Sequence, residues 1–186
     1  GKEEGKIVTI SASIPAETRV TYDDDTRKLS WQEGDKLLLA GYDGATYKGS
    51  RIFNWDSGNT FTGQEVTGAT TYKAYYPGNV ITLDNNGNVQ FPVYFWQQTQ
   101  EGNNSTAHLR DKLFLSDTVA KATNNAFSLT LRSSIIRLNL SGIPQEVGEL
   151  DQLIYMVETA PGVFKSVPLN VSGVTFSPTV SSITAF

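Results

Sequence analysis

The run TRVTYDDDTRKLSWQEGDKLLLA, residues 18–40, decides how the rest of the chain is read. Residues 18–22 and 27–31 alternate in character on either side of Asp23-Asp24-Asp25, as two strands joined by an acidic turn do. Glu33-Gly34-Asp35 then makes a tight corner, and Leu37-Leu38-Leu39-Ala40 follows as the apolar run of a more fully buried strand. Strand, turn, strand, corner and buried strand is how an antiparallel sheet begins to fold back on itself. The stretch carries no catalytic chemistry.

Composition agrees with that start. Charged residues are 18% of the chain, below the roughly 25% of an average soluble domain, and Thr, Ser, Asn and Gly take their place. Such residues suit strands and turns rather than solvated helices, so the chain reads as all-β. With 186 residues it is one large β domain or two small ones, and burial of roughly 70% of its extended surface needs no staples. Net charge is −4 and the densest basic pair, Arg27-Lys28, sits beside three aspartates, so nucleic acid is not an expected partner. No apolar run approaches 18 residues, the length that spans a bilayer as a helix. The absence of cysteine excludes disulfides, thiol catalysis, thiolate metal sites and lipid attachment within these residues. The first residue is Gly1 rather than methionine, which leads us to expect a trimmed product whose export signal has gone.

Working outward, residues 6–14 alternate cleanly, with Val8, Ile10, Ala12 and Ile14 on one face and Thr9, Ser11 and Ser13 on the other, until Pro15. Residues 36–42, 51–55 and 60–62 read as strands. Residues 71–76 place Tyr72, Ala74 and Tyr76 on one face before Pro77-Gly78 stops them. Residues 80–83 and 89–93 pair across a turn in which Asn86-Gly87 supplies two positive-φ positions. Residues 97–110 are polar and loop-like. Residues 127–140 alternate twice and change face at Ser133-Ser134, the sign of a bulge or of a bend from one sheet to another. Gly142-Ile143-Pro144 closes that strand, and residues 153–157 and 164–169 form a hairpin around Ala160-Pro161-Gly162. Turn signals every 8–12 residues favour a sandwich over a βαβ fold. The expected organisation is a β-sandwich over residues 1–144. Residues 145–186 then begin a second β domain or add C-terminal strands to the first.

Few residues suggest chemistry. The run from Gly44 to Ser50 has Walker-A spacing only as far as Gly49, and the lysine that must follow is missing. Asp84-Asn85-Asn86-Gly87-Asn88 begins like a calcium loop, yet Val89 and Phe95 stand where its glycine and bidentate glutamate belong. A hairpin turn accounts for it. Asp23, Asp24 and Asp25 read as a solvated turn, and Glu33 and Asp35 as a strand-entry corner. His108 is the only histidine, and no Gly-x-Ser-x-Gly elbow accompanies it. Neither an enzyme nor a cofactor or metal site is expected. The aromatic residues offer one alternative: Tyr75, Tyr94 and Trp96 could form a stacking platform for sugars on a surface glycan-binding module.

Four pieces then line up. These are Thr18-Arg19-Val20, Trp31-Gln32-Glu33-Gly34-Asp35 before its buried strand, Tyr72-Lys73-Ala74-Tyr75-Tyr76-Pro77, and residues 127–140 running on to 153–157. In this order, over residues 18–160, they resemble the fimbrillin-like family. That family comprises the type V pilins and related fimbrium-subunit surface lipoproteins of oral and gut Gram-negative anaerobes. The resemblance implies an antiparallel transthyretin-like β-sandwich with Greek-key-type connections, followed by a second sandwich. It implies export, and anchoring at the outer membrane through a lipid that this chain does not carry. It further implies a cell-surface, extracellular fimbria whose subunits join when an arginine-directed protease removes the first strand and a neighbour's strand fills the groove. By position, the removable strand is the one bearing Val8, Ile10, Ala12 and Ile14, and the processing site is Arg19 or Arg27. The implied partners are other pilin subunits, with a host protein or glycan beyond them.

Overall fold

The computed structural model describes residues 5–14, 30–92, 97–109, 112–120 and 126–186. The acidic turn, Arg19, Arg27, Tyr94 and Trp96 lie outside the described residues. What is described is almost entirely strand and turn, with short 3-10 turns at Ala107–Leu109 and Gln145–Val147. The all-β, antiparallel-rich sandwich class read from the sequence is the class found.

Numbered along the chain, the strands are β1 (Ile7–Ser13), β2 (Lys36–Asp43), β3 (Thr46–Ser57), β4 (Thr60–Gln64), β5 (Thr71–Tyr76), β6 (Thr82–Leu83), β7 (Val89–Gln90) and β8 (Thr99–Glu101). They continue as β9 (Leu115–Ala120), β10 (Ala126–Ser128), β11 (Thr130–Leu131), β12 (Leu138–Leu140), β13 (Gln152–Ala160), β14 (Val163–Ser172) and β15 (Ile183–Ala185). Two compact units share them: residues 1–92 with 113–134, and residues 93–112 with 135–186. The sequence pattern puts the start of a second β domain, or of C-terminal strands added to the first, at residue 145. The structure begins it at Ile135 and adds the inserted segment before Leu113.

In the first unit one sheet runs β10-β1-β4-β3-β2-β5-β9-β11. Its two end strands are neighbours in sequence. Residues 126–128 pair parallel with β1, and residues 130–131 pair antiparallel with β9. Between them the Leu129 N–H donates to the Ser13 carbonyl at 2.9 Å, and the Leu129 side chain is fully buried. One segment therefore hydrogen-bonds at both ends of the strand order, covering β1 with residues 126–128 and β9 with residues 130–131. Of the two alternatives for residues 127–140, a bulge or a passage from one sheet to another, the strands show the passage: β10 and β11 lie in the large sheet and β12 pairs with β15. The edge switch occurs at Leu129, and Ser133-Ser134 ends the first unit, so β12 belongs to the second.

The continuous apolar run of β2 has a direct cause. Leu37 and Leu39 are fully buried, as are Phe53, Phe61 and Tyr72. The opposite-facing Leu38, Ala40 and Tyr42 join Tyr75 and Ile81 in a second cluster, lined by Leu83, Val89, Phe91 and Phe114. The β6–β7 hairpin covers that cluster, so β2 is buried on both faces. Of the two turn residues expected at positive φ, only Gly87 has it, at 81°. A side chain there would strike the Tyr42 hydroxyl, which donates to the Gly87 carbonyl at 3.0 Å. Asp84 completes the turn by accepting from the N–H groups of Asn86 and Asn88 and from the Asn88 amide. The Asn88 amide first, then these backbone donors, hold the Asp84 carboxyl below its ordinary range. The calcium-like spacing is thus spent on a turn.

In the second unit β13, β14 and β8 form one sheet and β12 pairs with β15. Leu169, Val171, Val174, Phe176, Ile183 and Ala185 are its core. The segment read as a polar loop contributes its most specific contact. Gln100 is fully buried; its amide donates to the carbonyls of Gly102 and Thr184 at 2.9 Å and its oxygen accepts from the Phe186 N–H at 3.0 Å. Every polar group of that side chain is satisfied, as burial requires.

The β13–β14 hairpin leaves this core after its base. Leu153 and Leu169 pair across it and pack inward. Farther out both faces are apolar and exposed: Ile154 58%, Met156 59% and Phe164 56% on one face, Tyr155 38%, Val157 39% and Val167 46% on the other. Ile154→Lys should therefore change unfolding free energy by no more than about 0.5 kcal/mol. Leu169→Ala should lower it by about 2–5 kcal/mol. Urea denaturation of both variants checks the contrast.

Candidate functional site

The expected removable strand, β1, is bonded on both sides. It runs antiparallel to β4, with Ile10 opposite Phe61 and Val8 opposite Gly63. It runs parallel to β10, with Ala12 opposite Phe127. Ile10 and Ala12 are buried, Val8 and Ile14 are half-buried, and Ile7 is 60% exposed. Alternation in the sequence predicts this division because one face of a half-buried strand meets the core at every second residue.

The backbone around Ala12 is held from several directions. Its N–H donates to the Asn59 carbonyl at 2.8 Å, and its carbonyl accepts from the Trp31 indole N–H at 2.7 Å. One residue on, Ser13 Oγ donates to the Phe127 carbonyl at 3.2 Å. Trp31 is itself fixed by edge-on contacts to Phe61, with centroids 5.0 Å apart, and to Tyr76 at 5.4 Å. Tyr76 also donates its hydroxyl to Asp35 Oδ1 at 3.2 Å, while Asp35 Oδ2 accepts the Gln32 N–H at 2.8 Å. Gly34, at φ 87°, lets the corner close.

Two motifs that lie 40 residues apart in the chain thus interlock. Tyr76 braces the Trp31–Asp35 corner through ring and hydroxyl, and Trp31 in turn reaches β1 through the Ala12 carbonyl. Gly78 continues the fit: its N–H donates to the Lys36 carbonyl at 2.8 Å, and an added Cβ would stand 2.3 Å from the Leu37 carbonyl carbon. What sequence reasoning missed is the Trp31–Ala12 bond. A corner tryptophan is visible in the sequence, but the carbonyl it meets is not.

The other candidates fall elsewhere. Tyr75 is buried under the β6–β7 hairpin, stacked on Phe114 with centroids 6.1 Å apart, and burial pushes its phenol up to about 12. This corrects its place in a sugar-stacking platform, because the ring face is already covered. Among the described residues no group of three or more His, Cys, Asp or Glu is placed to hold a metal ion. Asp35 serves the corner, as its position suggested.

His108 lies in the second unit, with Nε2 2.9 Å from the Phe186 carbonyl and Nδ1 buried without a hydrogen-bond partner. Burial, reinforced by nearby Lys112, lowers its pKa against the opposing Phe186 bond. Between that lowered value and the ordinary histidine value of about 6.5, the unfolded chain binds more protons than the folded one. Stability is therefore full above the ordinary value and falls as pH drops through this window. Urea midpoints at pH 7.5 and pH 5 should differ less in His108→Gln than in the parent chain.

The chain matches no protein-family model, and no curated protein or solved structure is detectably similar to it.

Proposed function

We propose that the chain is a structural or tip subunit of a cell-surface fimbria that joins its neighbour by strand exchange at the β1 site. One observation carries this reading: β1 is paired on both sides, with β4 and β10, so its departure leaves a slot one strand wide. β4 and β10 would then present unpaired backbone on either side, with Phe61 and Phe127 on the flanking strands and the Trp31 N–H left without the Ala12 carbonyl. Unmet backbone along a strand is recruited by an extended segment from another chain, whose alternate side chains fill the vacated pockets.

The chain between β1 and Trp31 contains both Arg19 and Arg27, so a single cut at either leaves β1 attached by its contacts alone. Only Ile10 and Ala12 of β1 are buried, against Leu37, Leu38, Leu39, Ala40 and Tyr42 in β2, so release of β1 uncovers less core than release of β2 would. Export and outer-membrane anchoring through a lipid outside this chain belong to the same reading. A glycan platform finds no comparable support, since Tyr75 is covered.

Limited trypsin digestion followed by size-exclusion chromatography tests the proposal. Cleavage at Arg19 or Arg27 should release the β1 segment and yield species larger than the monomer. Retention of that segment by a chain that stays monomeric would count against strand exchange.

A further inference from the structure

Resting on the strand-exchange reading, we infer that the β1 slot selects its incoming strand by size at the place held by Ala12. The slot accepts an extended segment with a large apolar residue where Ile10 lies and a residue no larger than alanine two positions later.

The two places differ in how freely the backbone can adjust. At Ala12 the N–H is bound to Asn59, the carbonyl to the Trp31 indole, and the neighbouring Ser13 carbonyl to the Leu129 N–H at 2.9 Å. The main chain is thereby fixed on both sides, and its Cβ is fully buried directly across from Phe127, which is 2% exposed. The indole cannot step aside, because it is braced against both Phe61 and Tyr76. A leucine here would add three carbon atoms to a closely packed site whose backbone cannot retreat. A proline would lose the N–H that Asn59 accepts.

The places of Val8 and Ile14 are only half-buried, so a larger side chain there meets a less enclosed site than at Ala12. Ile10 requires bulk instead: it is 2% exposed opposite the fully buried Phe61, and a small residue would leave a cavity. The slot therefore reads a pattern, large then small with one residue between, and the small position carries the discrimination. The partner is an apolar extended segment of that pattern, with polar residues at the intervening places, as Thr9, Ser11 and Ser13 are in β1.

The test uses the full chain carrying a specific protease site within residues 15–29, cut so that β1 is held only by its contacts. Fluorescent peptides matching residues 6–14 are offered in excess and their uptake is followed by anisotropy. The matched peptide and its Ala12→Gly version should exchange in, and a Val8→Leu version should fall within about threefold of them. The Ala12→Leu version should bind about tenfold more weakly or worse. Equal uptake of the Ala12→Leu and matched peptides would overturn the size selection while leaving strand exchange intact. Uptake of no peptide, the matched one included, would overturn the strand-exchange reading and the selection with it.

Discussion

Replacing Trp31 by alanine is expected to lower the unfolding free energy by about 3–5 kcal/mol, the range for removing a large buried aromatic. The loss has three sources in the structure. The ring faces Phe61 and Tyr76, so its removal opens a cavity between them. Its N–H is the donor for the Ala12 carbonyl, which is left in a buried setting without that bond. The cavity also lies where β1 meets the Trp31–Asp35 corner, so β1 should dissociate faster from a cut chain. Trp31→Phe helps separate these effects, because it keeps an aromatic ring between Phe61 and Tyr76 while removing the hydrogen bond and only part of the ring volume. That variant should lose about 1–2 kcal/mol and show the same direction of change in β1 release. Urea denaturation gives the first quantity, and the rate of peptide loss from the cut chain gives the second. Equal stability of Trp31→Ala and the parent would mean the corner does not hold the groove.

The second large effect is expected from Ile10→Asp. A carboxylate at this buried position, opposite Phe61 and between strand partners that are apolar or uncharged among the described residues, costs about 3–5 kcal/mol. The chain can avoid that cost by letting β1 leave, since the rest of the core lies on other strands. Ile10→Asp should therefore take up a peptide matching residues 6–14 without any cut in the chain. Ile7→Asp, at a 60% exposed position on the same strand, should behave like the parent. Failure of the Ile10→Asp chain to bind the peptide while remaining folded would show that β1 is integral to the fold.

How much of this was legible in the sequence follows from the range of the interactions. The division of Val8, Ile10, Ala12 and Ile14 from Thr9, Ser11 and Ser13 is local, so alternation exposes it. The unbroken Leu37–Ala40 run likewise announces heavy burial, and the structure adds that the β6–β7 hairpin provides the second cover. The edge switch at Leu129 was not legible. It depends on parallel pairing between residues 126–128 and a strand more than a hundred residues earlier, and periodicity holds no record of a partner. The same applies to Gln100, whose polar neighbours suggest a loop. Its burial is stabilised by the carbonyls of Gly102 and Thr184 and the N–H of Phe186, of which only Gly102 is near in sequence. Residues 127–140 sit between these cases: the change of face at Ser133-Ser134 points to a passage between sheets, but not to the parallel pairing of residues 126–128 with β1 or to the change of unit. At the site, the strand could be read and its clamp could not.

The central claim is that β1 fills a slot that other extended segments can occupy. Amide hydrogen exchange at Thr60–Gln64 and Ala126–Ser128, the two strands flanking β1, tests it most directly. The measurement is made on the full chain, on the cut chain after β1 has been removed, and again after the matching peptide is added. The account predicts protection in the first state, its loss in the second and its return in the third, while β2 and β5 remain protected throughout. Unchanged protection of β4 and β10 after β1 is removed, or loss that the peptide does not reverse, would contradict it.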